Sequence, residues 1–328
     1  MAGALLGVAL YCHFKGVMMK NICELLNIKY PVIQGGMANI ATAELASAVS
    51  NAGGLGLIGA GGYDKEWVRN EIRKMRLLTD KPFGVNIMLM SPHAKDIAEL
   101  VVEEHVKIVT TGAGSPGIYM DLWKKHQMIV MPVVPSQALA RRVEKMGADA
   151  VICEGTEAGG HIGELTTMAL IPQVVDQVDI PVIAAGGIAD QRGVLAAFAL
   201  GAKGVQIGTV LLATKECPIH DNYKLKVIAS KDTDTIVTGR QTKAPVRVLK
   251  NMMAVKYNEL ASQGVPLVEL EKMTLGSLRR AVFDGDMDHG SVMAGQISGL
   301  VKEIKSVKEV LSQLFDHVND YKFSLEVM

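Results

Sequence analysis

The sequence predicts a (β/α)8 TIM barrel of the α/β class, with a smaller, mainly helical cap segment after its eighth strand. Two observations lead there. Short β-branched runs ending in glycine or a polar residue recur along the chain, each followed by a stretch of helical spacing. Those runs are also almost continuously hydrophobic, as strands buried on both faces are. They read YPVIQGGM from Tyr30, LGLIG from Leu55, FGVNIML from Phe83, VKIVTTG from Val106, IVMPVV from Ile129, AVICEG from Ala150, PVIAAGG from Pro181 and GVQIGT from Gly204. Between them, ATAELASAVSNAG and ALARRVEKMGADA read as helices closed by Gly53 and Gly147. Eight such units in about 190 residues make a compact barrel. The alternative, an open doubly wound sheet, normally carries G-x-G-x-x-G after its first strand, where this chain has GGMANIA. The glycines of AGGLGLIGAGG, Ala52 to Gly62, flank a strand instead, and the next helix opens only near Asp64.

Composition supports one large core. Hydrophobic residues make up 49 % of the 328 residues and charged residues 21 %, with a mean hydropathy of +0.23. The 34 basic and 34 acidic side chains balance to zero, which argues against a nucleic-acid-binding or polybasic membrane-binding protein. No apolar run approaches the roughly 20 residues of a membrane-spanning helix. The four cysteines are scattered without a CxxC pair, so neither a zinc site nor a disulfide framework is expected, and reduced thiols in a cytoplasmic protein are the simplest reading. Residues 1–18 form a short apolar stretch with no preceding positive charge and no clear cleavage site, and are read as an extension outside the fold. Residues 19–214 are assigned to the barrel and 215–300 to the cap, which reads as an irregular segment, KDTDTIVTGRQTKAPVR, followed by helices jointed near Gly264, Gly276 and Gly285. Within 301–328, Ile304, Val307, Val310, Leu311, Leu314 and Val318 repeat at helical steps, the signature of an amphipathic helix docked on the barrel.

Active sites of such barrels lie at the C-terminal ends of the strands. Here those ends are small: Gly35, Gly36 and Met37, then Thr111 and Gly112, Glu154 and Gly155, Ala185, Gly186 and Gly187, and Gly208 and Thr209, with Asn86 inside the third strand. Concentrated on one mouth, such residues let a flat or extended ligand lie against backbone N–H groups. The stretches AAGGIAD and GVQIGTVLLA, the second including Gln206, offer free amides after strands seven and eight, where this fold commonly holds phosphate, and a following helix N-terminus would add a favourable dipole. Among the eight histidines His161 stands out, in CEGTEAGGHIGELTT between Gly159, Gly160 and Gly163, where its imidazole would hang over the mouth and serve acid–base chemistry. Glu154 and Glu157 are its candidate partners. No second histidine lies at ligand spacing, so no metal site is expected.

These motifs resemble the FMN-dependent enoyl-acyl-carrier-protein reductases of the FabK type, within the wider nitronate monooxygenase group of flavoprotein barrels. The matching stretches run from Met18 to about Val310: YPVIQGGMA, AGGLGLIG, TDKPFGVNIMLMSP, VTTGAGSP, MPVVPS, EAGGHIG, PVIAAGGIAD, GVQIGT and DGDMDHGSVMAGQISGLV. EAGGHIG and AAGGIAD are common to the group, whereas GVNIMLMSP and GSVMAGQISGLV are similar to the reductases specifically. The resemblance implies one non-covalent FMN. Gly35, Gly36 and Met37 would line its ring, with Asn86 and Glu154 contacting ring or ribityl chain and Gly159 and Gly160 passing close by. Gly186, Gly187, Gly208 and Thr209 would hold the phosphate, and Ala185 and Gln206 would also bind the cofactor. It further implies His161 as the catalytic residue, NADH or NADPH as co-substrate in a ping-pong cycle, and trans-2-enoyl thioesters on acyl carrier protein as substrate, in bacterial fatty acid synthesis. Monovalent-cation stimulation is implied without ligands that can be placed, and a homodimer is left open. In the cap, Ser291 and Met293 are expected to face flavin or substrate, with Gly285, Gly290 and Gly295 as hinges of a lid. Nitronate oxidation with oxygen is the rival within the fold. A non-redox barrel binding a phosphate ligand is the rival of another class.

Overall fold

The computed structural model describes residues 21–318. The assignment of residues 1–18 therefore lies outside the described residues, as does that of the last ten residues to the terminal helix. Eight parallel strands form the barrel: β1 (Val32–Gln34), β2 (Gly56–Gly59), β3 (Phe83–Met88), β4 (Ile108–Gly112), β5 (Ile129–Val134), β6 (Val151–Glu154), β7 (Val182–Ala185) and β8 (Gly204–Ile207). Each lies within a run expected from the sequence. They follow one another around the sheet, with β1 beside β8. The ring is closed between β1 and β2 by a parallel bridge, Ile33 to Leu55, in which Gln34 N–H donates to Leu55 O at 2.9 Å and Leu55 N–H to Val32 O at 2.9 Å.

Strand alternation divides the barrel into two cores. Ile33, Leu55, Leu57, Ile108, Met131, Ile152 and Ile183 pack inside it, and Ile22 and Leu26 of the helix Ile22–Leu26 close its lower end. Val32, Val151, Cys153, Val182, Ala184 and Val205 point outward to the surrounding helices. The helix Val307–Phe315 joins that outer layer through Val307, Val310, Leu311 and Leu314, and Ser306 with Glu309 forms a capping box at its start.

The cap departs from expectation in one respect. The segment read as irregular contains two strands, β9 (Thr235–Thr238) and β10 (Val246–Leu249), paired antiparallel, and β10 pairs in turn with the two-residue strand Gly160–His161. The expected histidine loop is thus stitched to the cap by a small sheet. The rest of the cap is helical, including Asp221–Ala229, Met252–Ser262 and Leu267–Thr274.

The hinge expectation is corrected by packing. A Cβ on Gly290 would lie 2.4 Å from Asp286 O and 2.7 Å from the Ala281 side chain, and one on Gly295 would lie 2.7 Å from Glu157 O. These glycines allow close approach; they do not free a joint. Asn251 Nδ2 also ties down the segment, donating to Met287 O and Gly290 O at 2.8 Å each. Gly290→Ala is therefore expected to lower the melting temperature through overpacking, a cost of about 1–3 kcal/mol. Thermal denaturation checks this; an unchanged melting temperature would return the segment to the status of a mobile lid.

Candidate active site

Register places the candidate residues on one ring. Parallel partners share a face, and Ala185 belongs to the inner core, so its neighbours Glu154 on β6 and Gln206 on β8 point inward beside it. Gly84 pairs with the inward Ile108, so Asn86 two residues on also points inward, opposite Thr110. The lower layers of the barrel are apolar, and its C-terminal layer is polar and small.

Asn86 is fixed on both sides. Its Oδ1 accepts from Thr110 Oγ1 at 2.9 Å and its Nδ2 donates to Gly36 O at 3.3 Å. A Cβ on Gly36 would fall 2.2 Å from the Asn86 side chain, so glycine is required there. Gly35 N–H donates to Ile207 O at 2.8 Å, tying the turn after β1 to the end of β8. Met37 Sδ lies against Gly208, 3.4 Å from where a Cβ would stand.

After β7, Gly186 and Gly187 have φ of 91° and 75°. Positive φ at both positions asks for glycine and leaves the backbone of this turn open, with no side chain to block a ligand. The N–H groups of Gly186, Gly187 and Gly208 donate to no acceptor among the described residues. The helix opening at Thr209 is only four residues long, Thr209–Leu212, so the dipole expected from it is slight. Glu157 supports this turn and does not pair with His161. Its carboxylate accepts from Thr167 N at 2.9 and 3.0 Å and from Thr167 Oγ1 at 3.0 Å, while Thr167 Oγ1 also lies 3.0 Å from Gly186 O. Free amides on a turn held in place by a hydrogen-bonded side chain fit a phosphate.

Glu154 has no hydrogen-bond partner among the described residues, and burial pushes its carboxyl up to about 7. Because the folded value exceeds the unfolded one, the folded protein holds a proton that the unfolded chain has released between the two. The group's contribution to stability is thus greatest in acid and declines as pH rises from 4.5 to about 7. Glu154→Gln is expected to flatten that decline in the flavin-free protein, read as the change in melting temperature between about pH 5 and about pH 8. An identical pH dependence in the variant would show that Glu154 is solvated.

His161 reaches solvent at the rim, and its imidazole has no hydrogen-bond partner among the described residues. Partial burial still lowers its pKa, which keeps the imidazole neutral at neutral pH. Residues 293–296 of the cap pack against the loop that precedes it. Met293 Sδ stands 3.5 Å from the Cβ position of Gly160, Ala294 backbone 2.6 Å from that of Gly159, and Gly295 N–H donates to Thr209 Oγ1 at 2.8 Å. Ser291 is corrected. It is buried, and its hydroxyl shares a 2.6 Å hydrogen bond with Ser277, away from the mouth. Gly35, Gly36, Asn86, Glu154, Ala185, Gln206 and Gly208 thus lie in or after the strand ends on one side of the barrel, beside Thr110 and Thr167, which carried no motif of their own. No group of side chains able to hold a metal is found among the described residues.

The nitronate monooxygenase family model matches residues 19–104 and 98–317, nearly the whole chain. The chain belongs to the nitronate monooxygenase family. Members of this family and the FabK proteins are FMN-dependent flavoproteins, which makes the chain a flavin oxidoreductase of this group. The structure of FabK from Thermotoga maritima is 48 % identical, with a TM-score of 0.90, covering 93 % of this chain and 97 % of that one. A probable nitronate monooxygenase of Staphylococcus saprophyticus is 35 % identical over 91 % of this chain and 98 % of its own length. The Rhodococcus jostii protein named (3aS,4S,5R,7aS)-5-hydroxy-7a-methyl-1-oxo-octahydro-1H-indene-4-carboxyl-CoA dehydrogenase is 31 % identical over 88 % of this chain and 93 % of its own.

Proposed function

We propose that this family member is an enoyl thioester reductase, taking electrons from NADH or NADPH through FMN and delivering them to trans-2-enoyl chains on acyl carrier protein in the cytoplasm. The observation that carries this reading is the 48 % identity to FabK across both barrel and cap, against 35 % to the probable nitronate monooxygenase. FMN supplies hydride transfer between the nicotinamide and the thioester β-carbon.

The chain's own residues do the rest. Gly186, Gly187 and Gly208 offer amides to the FMN phosphate, and Asn86, braced by Thr110 and Gly36, presents its amide where the ring would lie. Glu154 enters protonated below about pH 7 and is able to donate a hydrogen bond, which an ionised carboxylate cannot. His161 presents a neutral imidazole to a thioester at the mouth. Its N–H stabilises the charge developing on the thioester oxygen, and the proton for Cα comes from solvent, through water or through the imidazole after it has itself been protonated from solvent. Hydride at Cβ and proton at Cα together give the saturated thioester.

Steady-state assays discriminate between the two chemistries. NADH consumption with crotonyl-coenzyme A is expected to exceed oxygen uptake with an alkyl nitronate by a wide margin. The reverse ranking supports nitronate oxidation. A purified protein without flavin absorbance, and unable to take up FMN, overturns both.

A further inference from the structure

Arg247 is a buried cation whose nearest opposite charge, Glu157, acts on it only at a distance. It is 6 % exposed and forms no ion pair among the described residues. Its Nε donates to Thr156 O at 3.1 Å and its Nη1 to Thr235 Oγ1 at 3.0 Å. Burial, and then the nearby Arg240, lower its pKa from the ordinary guanidinium value. Burying an unpaired charge is costly, and an apolar side chain like those of its strand neighbours Val246 and Val248 would fill the space more cheaply. What only a guanidinium supplies here is directed donors.

One of those donors acts on the loop that carries His161, and the other anchors the guanidinium to β9. Between β6 and Ile162 the loop includes Gly155, Gly159 and Gly160, a backbone with much freedom to lose. Arg247 holds it at two points. Its backbone pairs with Gly160 in the small sheet, where Val246 pairs with His161, and its side chain reaches back to the Thr156 carbonyl. The stretch between is fixed at Glu157, whose carboxylate is bound by Thr167 and whose carbonyl accepts from Gln296 N at 2.9 Å.

We propose that Arg247 is a positioning residue for His161, clamping the loop from Thr156 to Gly160 so that the imidazole is held over the barrel mouth. The inference rests on the reading of His161 as the group that serves the thioester. Misplacement of a reacting group by about 1 Å can cost about 10²-fold in rate.

The test compares Arg247→Met, Arg247→Lys, His161→Ala and the Arg247→Met/His161→Ala pair, all loaded with FMN. Arg247→Met is expected to retain flavin and wild-type reduction by NADH, while the subsequent step with crotonyl-coenzyme A slows about 10²-fold. Arg247→Lys, which can still reach one carbonyl, should recover to within about 10-fold of wild type. In the His161→Ala background, Arg247→Met should add nothing, because the residue acts through the imidazole. Hydrogen exchange on flavin-free protein provides a readout independent of turnover: amides of residues 157–161 should exchange faster in Arg247→Met. Multiplicative losses in the double variant, equal slowing of the NADH step, or unchanged exchange each overturn the proposal. If Arg247→Met does not fold, Arg247→Gln takes its place, since an exchange pattern and thioester rate equal to wild type in that variant would rule the clamp out. Should His161→Ala leave the thioester step untouched, the reading of His161 fails, and the exchange measurement still judges the clamp.

Discussion

Replacing His161 by alanine is expected to leave FMN bound and to slow turnover of the enoyl thioester by about 10²–10⁴-fold, the usual contribution of a general acid–base group. The imidazole stands on the rim, without a partner among the described residues, and no ring residue of the barrel relies on it for position. Flavin affinity should therefore be unchanged, as should reduction by NADH, which needs no proton at carbon. The measurement is the rate of each half-reaction by stopped flow, with flavin content determined by absorbance. Equal slowing of both half-reactions would make His161 a structural residue. Full activity would remove it from the chemistry.

Gly187→Asp is expected to abolish stoichiometric FMN binding. Three effects act together. At a φ of 75° an aspartate is held in the left-handed region that L side chains rarely adopt. Its Cβ would stand 3.5 Å from the Glu157 side chain, bringing a second carboxylate beside the first. The new charge would also sit at the free amides of the turn and repel a phosphate there. The variant should fold, since Gly187 faces the mouth and not the core, and should elute colourless from gel filtration with FMN added beforehand. Retention of one FMN per chain would place the phosphate elsewhere.

The barrel was legible because its signal is local: eight buried strands must each read as an apolar run, and the runs at Tyr30 through Gly204 correspond to β1 through β8. The rim was legible for the same reason, since Gly35, Gly36, Glu154, Ala185, Gly186 and Gly208 all follow or end strands. The small sheet was not. Thr235–Thr238 and Val246–Leu249 are four residues each, and Gly160–His161 is two, too short for alternation to show. The β-branched run TIVT and the turn at Gly239, with its φ of 75°, were the available signal for a hairpin. Without that sheet in view, Arg247 reads as one more surface charge. Pairings between distant segments were equally out of reach. Nothing local links Glu157 to Thr167 more than to His161, or shows that Ser291 turns to Ser277. The glycines near Ser291 suggested a lid because close packing and hinge freedom ask for the same residue, and only the neighbouring atoms tell them apart.

The central claim is that electrons leave this flavoprotein to an enoyl thioester. Its most direct test is a single turnover under anaerobic conditions: the FMN-loaded protein is titrated with NADH until the flavin absorbance bleaches, then mixed with crotonyl-coenzyme A. Prompt return of the absorbance is expected, with one equivalent of butyryl-coenzyme A formed. An absorbance that stays bleached with the thioester, while in a parallel sample the oxidised flavin is bleached by an alkyl nitronate and recovers on admitting oxygen, would contradict it.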